Sequence, residues 1–374
     1  MGWGAMSVVD HRREFVGLSA AQGTNFRELC RRFGVSPKTG YKWVARFAAD
    51  GEAGLTDRSR RPLTSPARSP DAVEAAVLGL RERHPAWGGR KLAAVLARQG
   101  EAPSPSTVTA ILRRHGVALG AFGGGAAPFL RFEHEAPNDL WQMDFKGHVA
   151  LRQGRLHPLT VLDDHARFAL VTGACADQTT ATVKACLVTA FRRYGLPLRI
   201  MTDNGSPWGS ATGSTFTPLG VFLVEQGIRI GHSRPFHPQT QGKDERFHRR
   251  VKAEVLSGPP FADLTEAARA LDRWRDIYNT ERPHEALGLA VPLSRYRPSP
   301  RAFRETIEPF DYAPDDIPRR VQQGGRITFK GRSYRLPKAF KDHTIALRPT
   351  AKDGTFDACF RHQFIGKLDI ATPA

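Results

Sequence analysis

Between Asp139 and Leu256 the apolar period switches repeatedly between two residues and about 3.6, and a chain with that pattern buries its apolar faces by packing helices on a sheet. Asp139 to Val149 alternates in the strand period, with Asp144 inside the run. On that period Asp144 shares a face with Gln142, while Trp141, Met143 and Phe145 take the other; burying the apolar face turns the acid toward a cleft. His157 to Gly173 predicts two strands joined by a tight turn at Asp163-Asp164. Asp177 is an N-cap candidate for a helix whose face is Val183, Leu187, Ala190, Phe191 and Tyr194, ended by Gly195-Leu-Pro197. Leu198 to Thr202 is a short strand stopped at Asn204-Gly205, which leaves Asp203 at its carboxyl end. A helix from about Thr217 to Gln226, a strand Ile228 to Ile230 and a helix from Gly242 to Leu256 complete a mixed α/β layout.

Acids at a strand end and on a nearby helix suit a divalent cation if the fold supplies another carboxylate. Asp203, Glu245 and Asp144 are the candidates. Asp163 and Asp164 are rival ligands, but Asp is a common turn former and a structural role fits them better. Glu254 is the substitute for Glu245. His232, His237 and His248 lack the i, i+4 helical spacing of a zinc hydrolase. Paired glycosidase-type carboxylates would leave the basic charge of the chain unexplained. Lys243, Arg246, Arg249, Arg250 and Lys252 crowd the Glu245 helix and suit phosphate contacts.

That charge is large: 55 Lys and Arg against 37 Asp and Glu give a formal +18 over 374 residues. A polyanionic partner is expected, with nucleic acid ahead of an anionic membrane, because no long apolar run or signal-peptide core appears. The expected location is cytoplasmic and nucleoid-associated. Cys30, Cys175, Cys186 and Cys359 are scattered and read as buried apolar residues.

Asn25 to Phe47 resembles a helix-turn-helix: one helix to Phe33, a turn at Gly34, then Ser36 and Pro37 opening the next. Leu29, Cys30, Phe33, Val35, Val44 and Phe47 are its expected core, with Lys38, Thr39, Tyr41 and Lys42 facing a DNA groove. Residues 1–56 form this domain, and the basic Pro/Ser-rich run 57–70, with Arg58, Arg60 and Arg61, suits a linker along phosphates. A second helix-turn-helix-like domain spans 71–120. There Asp71 caps the first helix, His84 to Arg90 turns, and helices cover Leu92 to Leu96 and Ser104 to His115. Gly116 to Pro128 reads as a hinge. Arg319 to Arg348 holds nine Lys/Arg and one Asp. Its alternation, with Lys330, Arg332 and Arg335 as DNA contacts, suggests a small β-barrel over 318–370.

Four motifs then carry a resemblance: Trp141-Gln-Met-Asp144-Phe, Thr202-Asp203-Asn-Gly-Ser206, Ser233 to Phe247 with Gly-Lys-Asp-Glu245-Arg-Phe, and Tyr278-Asn-Thr-Glu-Arg282-Pro283-His284-Glu-Ala-Leu287. Together they resemble the integrase catalytic core of bacterial insertion-sequence DDE transposases, over about residues 130–297. The resemblance implies a ribonuclease-H-like core with a mixed five-stranded sheet, and Asp144, Asp203 and Glu245 as catalytic, metal-binding residues. It further implies two Mg²⁺ ions, with Mn²⁺ as an alternative. Its expected partners are double-stranded DNA, as element terminal repeats and target, and a second copy of the chain, since joining two ends takes at least a dimer. The expected activity is DNA cleavage and strand transfer in DNA integration and recombination. The competing readings are a catalytically inactive, sequence-specific DNA-binding regulator that keeps the fold, and a nuclease without strand transfer. The 41 residues between Asp203 and Glu245 are more than the retroviral relatives use, and the excess falls on Pro207 to Ser214. The histidine/cysteine zinc unit of retroviral integrases has no counterpart. Arg282-Pro283-His284 is expected to fix a helix entry.

Overall fold

The computed structural model describes residues 7–59, 68–100, 103–118, 133–209, 216–232 and 242–370. The chain divides into two compact units, residues 1–68 and 69–374.

The first unit holds α1 (Val8–Ser19), α2 (Phe26–Arg32) and α3 (Pro37–Asp50). Ser7 and Asp10 form a reciprocal capping box on α1, and Ser36 caps α3 through the Thr39 N–H, with Pro37 in the first turn. Gly34, at φ +63°, takes the left-handed turn between α2 and α3. Phe15, Val16, Leu29, Cys30, Trp43 and Leu55 form the core; Phe33, Val35 and Val44 only flank it, and Phe47 is exposed. Helix α1 thus supplies the core residues that the two-helix expectation lacks. Gly40 is needed for packing, since a Cβ there would lie 2.8 Å from Phe15 and 2.9 Å from Cys30.

The second unit begins with α4 (Asp71–Arg83), α5 (Gly89–Arg98) and α6 (Pro105–Arg114) around Val77, Leu80, Trp87, Leu92, Leu96, Val108, Ile111 and Leu112. The N-cap of α4 is Pro70 without a side-chain bond, so Asp71 lies inside the first turn instead of capping it. Glu74, 3% exposed, is bonded by Arg114 and His115, tying α4 to α6.

The core sheet comprises β1 (Leu140–Phe145), the two-residue β2 (Val149–Ala150), β3 (Arg155–Asp163), β4 (Ala169–Cys175), β5 (Arg199–Thr202) and β6 (Arg229–His232), with α7 (Thr180–Tyr194) between β4 and β5 and α8 (Pro218–Glu225) between β5 and β6. The five longer strands run in the order β4-β3-β1-β5-β6, and β2 pairs with the first residues of β3. Pairings β1/β3 and β3/β4 are antiparallel and β1/β5 and β5/β6 parallel, so the sheet is mixed as expected. One face packs on α7 and α8 through Trp141, Met143, Val161, Phe191 and Phe222. Against Leu162 and Ala169 pack α9 (Gly242–Val251) and α10 (Leu264–Thr280), through Phe247, Val251, Trp274 and Tyr278. Thr179 caps α7, and Asp177 instead bonds the Thr179 and Thr182 hydroxyls. Past α9 the expected α-helix becomes a π turn at Lys252–Leu256.

The last segment holds β7 (Ile317–Arg320), β8 (Arg326–Phe329), β9 (Arg332–Arg335), β10 (Thr344–Pro349), β11 (Thr355–Phe360) and β12 (Gln363–Asp369). It is not hydrogen-bonded into the expected closed barrel: β12-β11-β10-β7 form an open antiparallel sheet and β8-β9 a separate hairpin. Val221 and Val224 of α8 enter the same apolar cluster as Val321, Phe329, Phe340 and Phe360, so α8 is buried on both sides. No helix among the described residues is long and apolar enough to cross a membrane.

Candidate active site

Because β1 and β5 are neighbouring parallel strands, their carboxyl ends open at the same edge of the sheet, where open α/β folds form their ligand crevice. Asp144 is the next-to-last residue of β1, opposite Thr160, and Asp203 follows β5 directly. Burial pushes the Asp144 carboxyl up to about 6, with the Asp203 charge adding to it. Asp203 Oδ1 accepts the Gly205 N–H at 2.9 Å and the Trp208 indole N–H. Trp208, 4% exposed, stacks on Phe145 at 5.4 Å, so one ring spans from the Asp203 loop to the end of β1. The His232 Nδ1 lies 3.0 Å from the Asp203 carbonyl oxygen, an atom that only accepts, so this nitrogen carries the proton.

Helix α9 brings a further acid than expected. Asp244, Phe247, His248 and Val251 form its buried stripe, and Glu245, one step round the helix, is exposed. Burial first, then Asp144 and Asp164, push the Asp244 carboxyl up to about 8. His248 places Nε2 2.8 Å from the Thr160 hydroxyl and Nδ1 3.8 Å from Asp144 Oδ2. Burial, with Lys146 nearby, holds this imidazole down to about 4, so at neutral pH the Asp144 contact is dipolar, not an ion pair. Thr160 in turn donates to the Asp144 carbonyl at 3.0 Å. Glu245 sits one turn before His248 and so flanks the stripe that faces β1. The sequence did not single out Asp244, Trp208 or Thr160; their roles come from tertiary register.

The rival acids are occupied. Asp163 accepts the Asn138 and Ala166 N–H groups at 2.7 Å each, and Asp164 accepts the Gln142 amide at 2.7 Å and ion-pairs Lys243. Glu254 receives the Trp274 indole at 2.9 Å and the Arg282 guanidinium at 2.9 to 3.3 Å.

Among the expected DNA contacts, Lys38, Tyr41 and Lys42 are exposed on α3, with Tyr41 stacked on Phe26 at 4.1 Å. Thr39 is half-buried beside the Ser36 cap. Arg58 ion-pairs Asp50, and Arg60 and Arg61 lie outside the described residues. Arg246 and Arg249 are exposed. Lys243 and Arg250 are not: one is held by Asp164, and the other is half-buried near Tyr278 and Arg282. Lys330, Arg332 and Arg335 are exposed on the β8-β9 hairpin, with Arg332 bonding the Ile370 carbonyl. The expected long loop is described only as far as Gly209, and His237 and the rest of 233–241 lie outside the described residues.

Among the described residues no three His, Cys, Asp or Glu side chains converge as a metal site. The donor chemistry nonetheless fits a hard divalent cation. Burial and the Asp203 charge raise the cost of ionising Asp144, a cost that a bound cation would offset.

Comparison with known proteins agrees with this architecture. Residues 134–238 and 226–292 match two models described as integrase core domain, residues 11–62 a helix-turn-helix domain and residues 39–112 a homeodomain-like domain. Helix-turn-helix units ahead of an integrase core define a class, the integrase-core transposases. Residues 316–374 match the C-terminal domain of IS481 family transposases. The chain is 24% identical over 247 residues to an insertion element IS407 uncharacterized 31.7 kDa protein of Burkholderia multivorans, covering 63% of this chain and 87% of that one. It is 25% identical over 244 residues to an insertion element IS476 uncharacterized 39.2 kDa protein of Xanthomonas euvesicatoria, covering 64% and 69%. Among solved structures, the HTLV-2 integrase catalytic core domain in complex with magnesium aligns with TM-score 0.34 and 17% identity, over 44% of this chain and 99% of that one. The core and C-terminal segments are thus similar to those of insertion-sequence transposases that carry an integrase core.

Proposed function

We propose that this chain is a transposase that cleaves DNA at the terminal repeats of its element and transfers the freed 3′ ends to target DNA, with Asp144, Asp203 and Glu245 as catalytic residues. The observation that carries the reading is that Asp144 and Asp203 lie side by side at the carboxyl edge of two parallel strands, with Asp244 and His248 of α9 beside Asp144. The three acids would hold Mg²⁺ or Mn²⁺, two ions in all. Such ions lower the pKa of a bound oxygen nucleophile and offset charge on the leaving oxygen of an in-line displacement.

The chain's own residues set the stage for that chemistry. Trp208 and the Gly205 N–H fix the Asp203 carboxylate. Thr160 and neutral His248 fix the end of β1 that carries Asp144. Exposed Arg246 and Arg249 on α9 are placed to take phosphates beside the acids. Lys38, Thr39, Tyr41 and Lys42 on α3 read a groove, Arg58 with the following arginines tracks phosphate, and Lys330, Arg332 and Arg335 add a second basic surface. The domains are 1–56 and 71–120 for DNA, 130–297 for catalysis and 318–370 for further DNA contact, acting in the cytoplasm on the nucleoid. Two ends joined together require at least a dimer on DNA.

The test is joining of a pre-cut terminal repeat to plasmid in Mg²⁺. Asp144→Asn and Asp203→Asn are expected to abolish joining while terminal-repeat binding persists. Joining at the wild-type rate by either variant overturns the reading; cut but unjoined products from the wild type would mean a nuclease instead.

A further inference from the structure

Arg282, Pro283 and His284 follow α10 and stand apart from Asp144 and Asp203. Arg282 is 3% exposed; its Nε and Nη2 bond Glu254, but Nη1 is buried without a hydrogen-bond partner among the described residues. His284 is 2% exposed, lies edge-on to Tyr278 at 4.7 Å, and has an Nε2 that is likewise buried and unpartnered. Two more cations face the same place: half-buried Arg250 from α9 and half-buried Lys91 from α5. Lys91 senses the charges of Arg282 and Arg250, Arg250 senses that of Arg282, and among the described residues neither has an ion pair of its own. Two carboxylates are in electrostatic reach. Glu254 is committed to Arg282 and the Trp274 indole, and Glu285 is exposed.

Three cations and an imidazole therefore converge on one committed carboxylate and one solvated one. Burying like charges and unpaired donors is unfavourable until an anion joins them. The complement of several donors arranged around one point is a tetrahedral oxyanion, and the guanidinium groups favour phosphate. Lys91 belongs to the second helical unit and the other three to the core, and nearby Arg98 bonds the carbonyls of Glu281 and Leu289 after α10. An anion here would therefore bridge the two.

We infer that Lys91, Arg250, Arg282 and His284 form a binding site for one phosphate oxyanion at the junction of the second helical unit with the catalytic core. Lys91 and Arg250 are its half-buried members, Arg282 and His284 its buried ones. The phosphate is either one link of a DNA backbone or a free ion.

The test compares the full-length wild type with a Lys91→Gln/Arg250→Gln variant, both substitutions lying at half-buried positions. Thermal melts are recorded with inorganic phosphate titrated at constant ionic strength, alone and with a saturating DNA duplex. The wild-type Tm is expected to rise saturably with phosphate. The variant should match or exceed the wild-type Tm in phosphate-free buffer, because cationic crowding is relieved, and show no rise with phosphate. A wild-type rise that vanishes once duplex is bound identifies the ligand as backbone phosphate; a rise additive to that of duplex identifies a free ion. An equal response in both proteins, or none in either, overturns the site. Should the double variant fail to fold, Lys91→Gln alone carries the comparison. The phosphate titration needs no strand transfer, so its failure and that of the proposed catalysis are told apart.

Discussion

Two glutamates, Glu245 in the first turn of α9 and Glu254 just past its end, have opposite surroundings, and their substitutions should separate stability from chemistry. Glu254 is the counter-charge of a buried arginine and the acceptor of a buried indole. Glu254→Gln leaves the Arg282 guanidinium uncompensated and should cost about 3 to 5 kcal/mol, read as a fall in the denaturant midpoint. Glu245 is exposed, so Glu245→Gln should move that midpoint by less than about 0.5 kcal/mol. His284 supplies a pH dependence. Burial, with Arg250, Arg282 and Lys91 around it, holds its pKa well below the ordinary value, so the fold binds it neutral. Its contribution is complete above the unfolded pKa of about 6.5 and is lost as pH falls below it, at about 1.4 kcal/mol per unit. In phosphate-free buffer, His284→Gln should flatten the stability profile below that pH by one proton's slope; an unchanged slope would place the titration elsewhere.

At the scale of elements, local chemistry was readable wherever one residue decides the outcome. Ser36 with Pro37 and Ser104 with Pro105 open α3 and α6 as their sequences require, each serine accepting an N–H three residues on. Ser104→Ala should therefore cost about 1 kcal/mol in thermal unfolding. The same local logic placed Asp144 inside β1 and Asp203 at the end of β5. It failed where a longer-range partner decides. Asp71 and Asp177 are good cap residues, but α4 starts at Asp71 itself and the Thr179 hydroxyl takes the cap of α7. Helix α1 is weakly patterned, and its role shows only in Phe15 and Val16 packing against α2 and α3. Asp244 and Glu245 are adjacent acids that sequence cannot rank for burial; the packing of Phe247 and Val251 on the sheet sets which one turns inward. The pairing of Glu254 with Arg282 spans 28 residues, beyond any local pattern. The barrel expectation followed strand alternation, which is the same for a closed barrel and for an open sheet whose apolar face rests on α8.

Over the whole molecule, a formal +18 makes DNA association strongly salt-dependent. Lys330→Gln and Arg335→Gln on the β8-β9 hairpin should each lower the slope of log affinity against log salt by about 0.9, equally for cognate and unrelated duplexes. Lys42→Gln should in addition narrow the preference for the terminal repeat, because α3 is the element placed to enter a groove. On the proposed reading these basic surfaces serve one site in which Asp144, Asp203 and Glu245 act together. Its most direct test is single-turnover joining of a pre-cut terminal repeat in Mg²⁺ by Glu245→Gln, run beside Asp244→Asn. Glu245→Gln is expected to bind the repeat as tightly as the wild type yet form no joined product, while Asp244→Asn still joins. Joining at the wild-type rate by Glu245→Gln, with loss in Asp244→Asn, would contradict it and move the third acid by one residue.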